Sequence, residues 1–217
     1  VYLYDSNSVH PINQWHYIVV VRSSGTFKLY VNNKLMGTST ANPTFSSSNN
    51  VRVGQALGGF GTLEGYLSDI IYNPTTAITD FTPPTAPLSS SGASLHIKGT
   101  DASIIDKSQS ANLKLVGNTT GSTTQAKFSN TKSMYFDGTG DYISFDETYD
   151  EFLESGTVGT IERWGRLQSK SPRGTIVGNW LSNSGWTIDY DTSHRIHITR
   201  NGSTSNFGDI NLSFNVW

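Results

Sequence analysis

Trp15-His16-Tyr17-Ile18-Val19-Val20-Val21-Arg22 is the stretch on which the fold turns. The run is β-branched in its middle and too short for a globular helix. Its apolar side chains fall on both faces of the strand it would form. That pattern predicts a strand covered on two sides, at the centre of a sandwich. Ser24-Gly25 ends the run with a turn. Phe27-Lys28-Leu29-Tyr30-Val31-Asn32 then alternates with period two, as a half-buried strand does. Asn32-Asn33 tolerates left-handed dihedrals and turns the chain into Lys34-Leu35-Met36-Gly37. A Ser/Asn-rich loop, a short strand at Val51-Arg52-Val53-Gly54, a turn at Gly58-Gly59 and a longer strand from Leu63 to Tyr72 follow.

Residues 73–93 change character. Pro74, Pro83, Pro84 and Pro87, then Ser89-Ser90-Ser91-Gly92, cannot sustain a strand ladder and read as a linker. Beyond it short strands resume at Ser94–Lys98, Asn112–Val116, Ser133–Phe136, Tyr142–Phe145, Thr160–Trp164, Thr175–Val177, Trp186–Tyr190 and Arg195–Thr199. Residues 149–154 have the spacing of one helical turn. Short strands with turns every eight to twelve residues or so mean a sandwich or barrel.

Composition agrees. Gly, Ser, Thr and Asn are abundant, while hydrophobic residues are 35% and charged residues 15% of 217. Net charge is −2, which gives no electrostatic case for nucleic acid or an anionic membrane. No apolar run approaches the roughly 18 residues of a membrane span. Cysteine is absent, which excludes disulfides and thiolate metal sites. The sequons at Asn118, Asn201 and Asn211 are what chance yields in a chain so rich in Asn, Ser and Thr.

Trp15 to Arg22, Lys28-Leu29-Tyr30-Val31-Asn32 and Gly65-Tyr66-Leu67-Ser68-Asp69-Ile70-Ile71-Tyr72 together resemble the closing half of a laminin-G-like domain, of the concanavalin A-like lectin/glucanase fold. Ser94-Leu95-His96-Ile97-Lys98-Gly99, Ile105-Asp106-Lys107-Ser108, Met134 to Ile143 and Thr160-Ile161-Glu162-Arg163-Trp164 resemble the opening half. The halves therefore stand in permuted order. Asn13-Gln14-Trp15 and Asn215-Val216-Trp217 lie roughly 200 residues apart, about one all-β domain. Phe81-Thr82-Pro83-Pro84-Thr85-Ala86-Pro87-Leu88 resembles the join between tandem laminin-G-like units in virion and tail-fibre proteins of marine phages and related viruses. Two positions depart from the family: Lys98 precedes Gly99 where Asp is frequent, and Arg163 stands where an apolar residue is usual. An arginine on a core face must find a partner or reach an edge.

Glycoside hydrolysis needs two carboxylates facing one bond. Glu147, Asp150, Glu151 and Glu154 have the spacing of a helical turn, and Glu162 has no companion at strand spacing, so no enzyme is expected. No Gly-x-Ser-x-Gly appears, and His10, His16, His96, His194 and His197 read as scattered, exposed histidines. Calcium suits the loops better than zinc, at Asp137 and Asp141 in a Gly-bracketed turn for which a plain turn is the stronger reading, with Asp69 and Asp106 near positions where relatives can place an ion. No cofactor is required. For carbohydrate, an exposed aromatic amid amides and hydroxyls is the sign. Trp180 and Asn183 lie in such a loop, and Tyr190 and His194 crowd the next turn.

The expectation is an all-β, two-sheet antiparallel jelly-roll sandwich, circularly permuted or spanning two repeats. Residues 1–72 form the C-terminal half of one unit, 73–93 the linker and 94–217 the N-terminal half of the next. The halves complement one another, either within the chain or with neighbouring copies in a head-to-tail array. Residues 83–94 reach about 40 Å extended, enough to close the fold in cis. Residues 1–14 and 203–216 then compete for one place. The resemblance implies a non-enzymatic structural or adhesive module on a virion or cell surface, gripping host-surface glycans. A glycan-processing enzyme of the same fold is the alternative.

Overall fold

The computed structural model describes residues 11–40, 50–58, 61–100, 103–108, 111–145, 158–168, 173–179, 181, 185–190 and 196–200. Among them there is no helix, and fifteen strands form two antiparallel sheets. They are β1 (His16–Ser23), β2 (Thr26–Val31), β3 (Lys34–Ser39), β4 (Arg52–Val53), β5 (Glu64–Asn73), β6 (Leu95–Gly99), β7 (Ile104–Asp106), β8 (Leu113–Val116), β9 (Thr120–Ser122), β10 (Ser133–Asp137), β11 (Tyr142–Phe145), β12 (Gly159–Leu167), β13 (Gly174–Gly178), β14 (Trp186–Tyr190) and β15 (Ile196–Arg200). The large sheet runs β3-β2-β1-β12-β5-β10-β9, with β6 and β7 continuing from β5. The small sheet runs β15-β14-β13-β4-β11-β8.

The segments on either side of residues 74–93 interdigitate in both sheets. β12 lies between β1 and β5, pairing His16 with Gly165 and Arg22 with Gly159. β4 lies between β13 and β11. The β2–β3 hairpin forms as its sequence demands: Asn32 and Asn33 take φ of 47° and 72°, the left-handed pair that matches strand twist. Two short strands, β7 and β9, carry no period-two signal and were not legible.

The core lies between the sheets. Ile18 and Val20 of β1, Ile161 of β12, Leu67 and Ile70 of β5, Met134 and Phe136 of β10 meet Val53, Ile143, Ile176, Trp186, Ile188 and Tyr190 of the small sheet. Each such aliphatic or aromatic side chain contributes about 1.5–3 kcal/mol when removed from water.

β1 is also covered on its other side, and its cover is the segment expected to be a linker. Residues 74–93 are irregular, as their prolines require, yet they pack across the outer face of the large sheet as a strap. Ile78, Phe81 and Leu88 join Tyr17, Val19, Trp164, Tyr30 and Phe128 in a second apolar cluster. The Ile78 amide donates to Thr160 Oγ1 (3.2 Å), whose hydroxyl donates to the Thr76 carbonyl (2.8 Å). Phe81 stacks on Tyr30 with centroids 3.5 Å apart and planes 8° from parallel. The two-sided apolar pattern of β1 thus answers to a three-layer arrangement of small sheet, large sheet and strap.

Arg163 lies on the inner face of β12, 1% exposed, and finds a partner rather than an edge. Its Nη2 donates to the Tyr190 hydroxyl (2.7 Å), and its guanidinium lies over the same ring. Gly165 makes the room, because a Cβ there would fall on Arg163 Nη1. The ladder between β12 and β5 shifts register between these two residues.

Candidate functional site

Alternation along β12 sends Glu162 to the face opposite Arg163, under the strap and beside Val19 and Ile71. The Tyr17 hydroxyl donates to Glu162 Oε2. Burial pushes the Glu162 carboxyl above its ordinary range, and the Tyr17 hydrogen bond only partly opposes this. Tyr17 is itself pushed up, first by burial and then by the Glu162 charge, so the proton stays on the phenol. Tyr17 packs against Trp164, with ring centroids 5.2 Å apart. Lys127 caps that indole, its Nζ 3.9 Å from the ring, and burial holds this amine below its usual value.

A second polar cluster ties the end of the strap to the sheet. His96 Nε2 bonds Asp69 Oδ1 (2.8 Å), and Lys98 Nζ stands 3.8 Å from the same oxygen. His96 Nδ1 is hydrogen-bonded to Ser90 Oγ at 2.8 Å. His96 and Asp69 are both buried. His16 is buried too, its Nε2 donating to the Pro11 carbonyl (3.0 Å). Neither histidine is the exposed strand residue expected, because each sits where a neighbouring strand or the strap closes over it.

Between the strap and the β1–β2 hairpin lies an open groove of about 480 Å³. Val21, Ser23, Thr26, Lys28 and Tyr30 form its sheet side; Ala77, Ile78, Thr79 and Phe81 form its strap side. This size lies within the range of small-ligand sites.

Of the expected carbohydrate residues, Tyr190 alone is among the described ones. Tyr190, placed by the sequence reading at a surface turn, is in the inter-sheet core with its hydroxyl on Arg163. Trp186, Ile188 and Tyr190 share the inner face of β14, so strict alternation sends Tyr190 inward. Trp180, Asn183 and His194 lie outside the described residues, as do the acidic turn at 149–154 and Trp217.

Asp137 and Asp141 do come together in one turn. Asp141 is buried; its Oδ1 accepts from the Asn118 amide (2.8 Å) and its Oδ2 from the Asp137 amide (3.0 Å). Asp137 accepts from the Thr139 amide (2.7 Å) and Asn118 Nδ2 (3.0 Å). Asp106 likewise accepts from the His96 and Ala111 amides and from Ser108. Burial alone would raise it, but these donors outweigh burial and hold it below the usual carboxylate range. Among the described residues no group of three or more His, Cys, Asp or Glu is placed to hold a metal ion.

The sequence reading missed the groove and the Ser90–His96–Asp69 clasp. The signal for the strap was there: Ile78, Phe81 and Leu88 are large apolar residues in a segment otherwise polar and proline-rich. The clasp depends on the pairing of Ile71 with His96, which only the fold supplies.

Residues 1–74 match a family model described as the Concanavalin A-like lectin/glucanases superfamily, a laminin-G type. The match covers β1 to β5, about a third of the chain. No curated protein matches the chain. The first part of the chain is thus similar to that superfamily, and the described residues form an all-β sandwich of two antiparallel sheets, as such a fold requires.

Proposed function

We infer that the protein is a non-enzymatic structural and adhesive module, one unit of a tandem array on a virion fibre or cell surface, which binds host-surface glycans. The observation that carries this reading is the interleaving of segments from either side of the strap. β12 between β1 and β5, and β4 between β13 and β11, make each sheet incomplete without both. Two segments that complete one another in cis can do the same between neighbouring repeats, which is how strand exchange builds head-to-tail arrays. The similarity of residues 1–74 to a superfamily described by its lectins and glucanases supports a carbohydrate-facing role. Light scattering across a concentration series tests the array: growth in mass with concentration supports exchange, and a constant monomer confines the pairing to one chain. A glycan array tests adhesion.

One observation favours the alternative, a glycoside hydrolase. A carboxyl with raised proton affinity is what a general acid needs, and Glu162 has one. Its bonded partner, however, is a phenol under a packed strap rather than a second carboxylate across a cleft. Hydrolysis of a β-glucan that Glu162→Gln abolishes would establish the enzyme.

A further inference from the structure

We propose that the groove between the strap and the β1–β2 hairpin binds a pyranose bearing an anionic group, with Lys28 as the anion's partner. The proposal rests on the glycan reading above and names a site for it. The groove joins three chemistries that such a ligand presents together. Val21, Ile78 and the stacked pair Tyr30–Phe81 give an apolar wall that suits the C–H face of a sugar ring. Ser23, Thr26 and Thr79 supply hydroxyls at the rim; as residues of a strand end, a strand start and the strap, they reach the space from both sides. Among the described residues these three side chains and Lys28 make no hydrogen bond or ion pair. Among the described residues Lys28 is the one cation lining the groove.

Alternation places Lys28 and Tyr30 on the same face of β2, so a ring held against Tyr30 and Phe81 can direct a carboxylate or sulfate toward Lys28 Nζ. The walls are pre-formed. Thr160 holds Thr76 and Ile78 in place, and the aromatic stack pins Phe81, so little ordering accompanies binding.

Isothermal titration with three oligosaccharides tests this: an oligogalacturonate, a sulfated galactan oligomer and a neutral galactan oligomer, each against wild type, Lys28→Ala and Thr79→Val. Lys28 is exposed and outside the core, so its variant keeps the wild-type melting temperature. Expected is binding of one or both anionic oligomers, at least tenfold tighter than the neutral one, lost about tenfold in Lys28→Ala, reduced severalfold in Thr79→Val and weakened by salt. Whether carboxylate or sulfate is preferred identifies the anion. Tight binding that Lys28→Ala leaves unchanged overturns the groove and leaves the glycan reading standing. Absence of binding to all three, together with a blank glycan array, overturns both.

Discussion

The two faces of the large sheet are both covered, but by different kinds of partner. The inner face meets a second sheet, whose backbone is already bonded in its own ladders. The outer face meets an irregular strap, whose backbone must find its bonds one at a time, as Ile78 does on Thr160. The contrast is sharpest at two consecutive residues of β12. Arg163, facing inward, is fully buried, with one hydroxyl partner. Glu162, facing outward, keeps partial contact with solvent and a hydrogen bond to Tyr17. The second sheet excludes water and leaves a polar group few options. The strap excludes it incompletely, and ionisable groups gather beneath it: Glu162, Tyr17, Lys127, Asp69 and His96.

Truncation separates the two faces most strongly. Phe136, buried in the inter-sheet core, packs where a Cβ on Gly54 would strike its ring. Phe136→Ala should cost about 4 kcal/mol of global stability in chemical denaturation. A cost near 1 kcal/mol would show that the inner face can collapse like a loose cover. Next comes Arg163. Tyr190→Phe leaves a buried guanidinium without its hydrogen bond and should cost about 2 kcal/mol. Arg163→Met, apolar and of similar length, should be neutral or stabilising. If Arg163→Met is the more damaging variant, the guanidinium has a structural role that the Tyr190 contact does not account for.

On the outer face, Phe81→Ala should cost about 1–2 kcal/mol, since the ring is half-exposed. Its signature is local: faster hydrogen exchange and proteolysis in 77–90, with the inner strands still protected. Uniform loss of protection would mean that strap and sandwich unfold as one unit. The smallest effect is the pH response of Glu162. Its folded pKa lies above the unfolded one, so its favourable contribution is present in acid and lost as pH rises through the raised value. Glu162→Gln keeps an acceptor for Tyr17 and cannot ionise. Its melting temperature relative to wild type should therefore climb from acid to neutral pH, and a flat difference would break the link between burial and protonation.

Much of the sandwich was legible because strand signals survive in single stretches: the two-sided β-branched run of β1 and the period-two alternation of β2. The linker's true place was not, because its apolar residues have no period; they are placed by Tyr30, Tyr17 and Trp164, which come from distant strands. Tyr190 illustrates a signal present but outweighed. Its alternation with Trp186 and Ile188 pointed inward, while the polar turn beyond it pointed to the surface, and alternation was the physically stronger constraint. Arg163 shows the converse. The sequence raised the question of its partner, and only the packing of β14 against β12 supplies Tyr190 as the answer.

The position of β12 carries a kinetic consequence. β1 and β5 cannot bond each other; each waits for a strand that begins at Gly159. Closing a loop of that length precedes most of the stabilising contacts of the large sheet, which places the chain among slow, high-contact-order folders. Until β12 docks, β1 and β5 present unpaired edges of β-branched residues, the surfaces most prone to capture by another chain. On a ribosome that interval lasts as long as the synthesis of everything between them. The growth temperature and expression rate at which the protein stays soluble should therefore be set by this one insertion rather than by the stability of the finished sandwich.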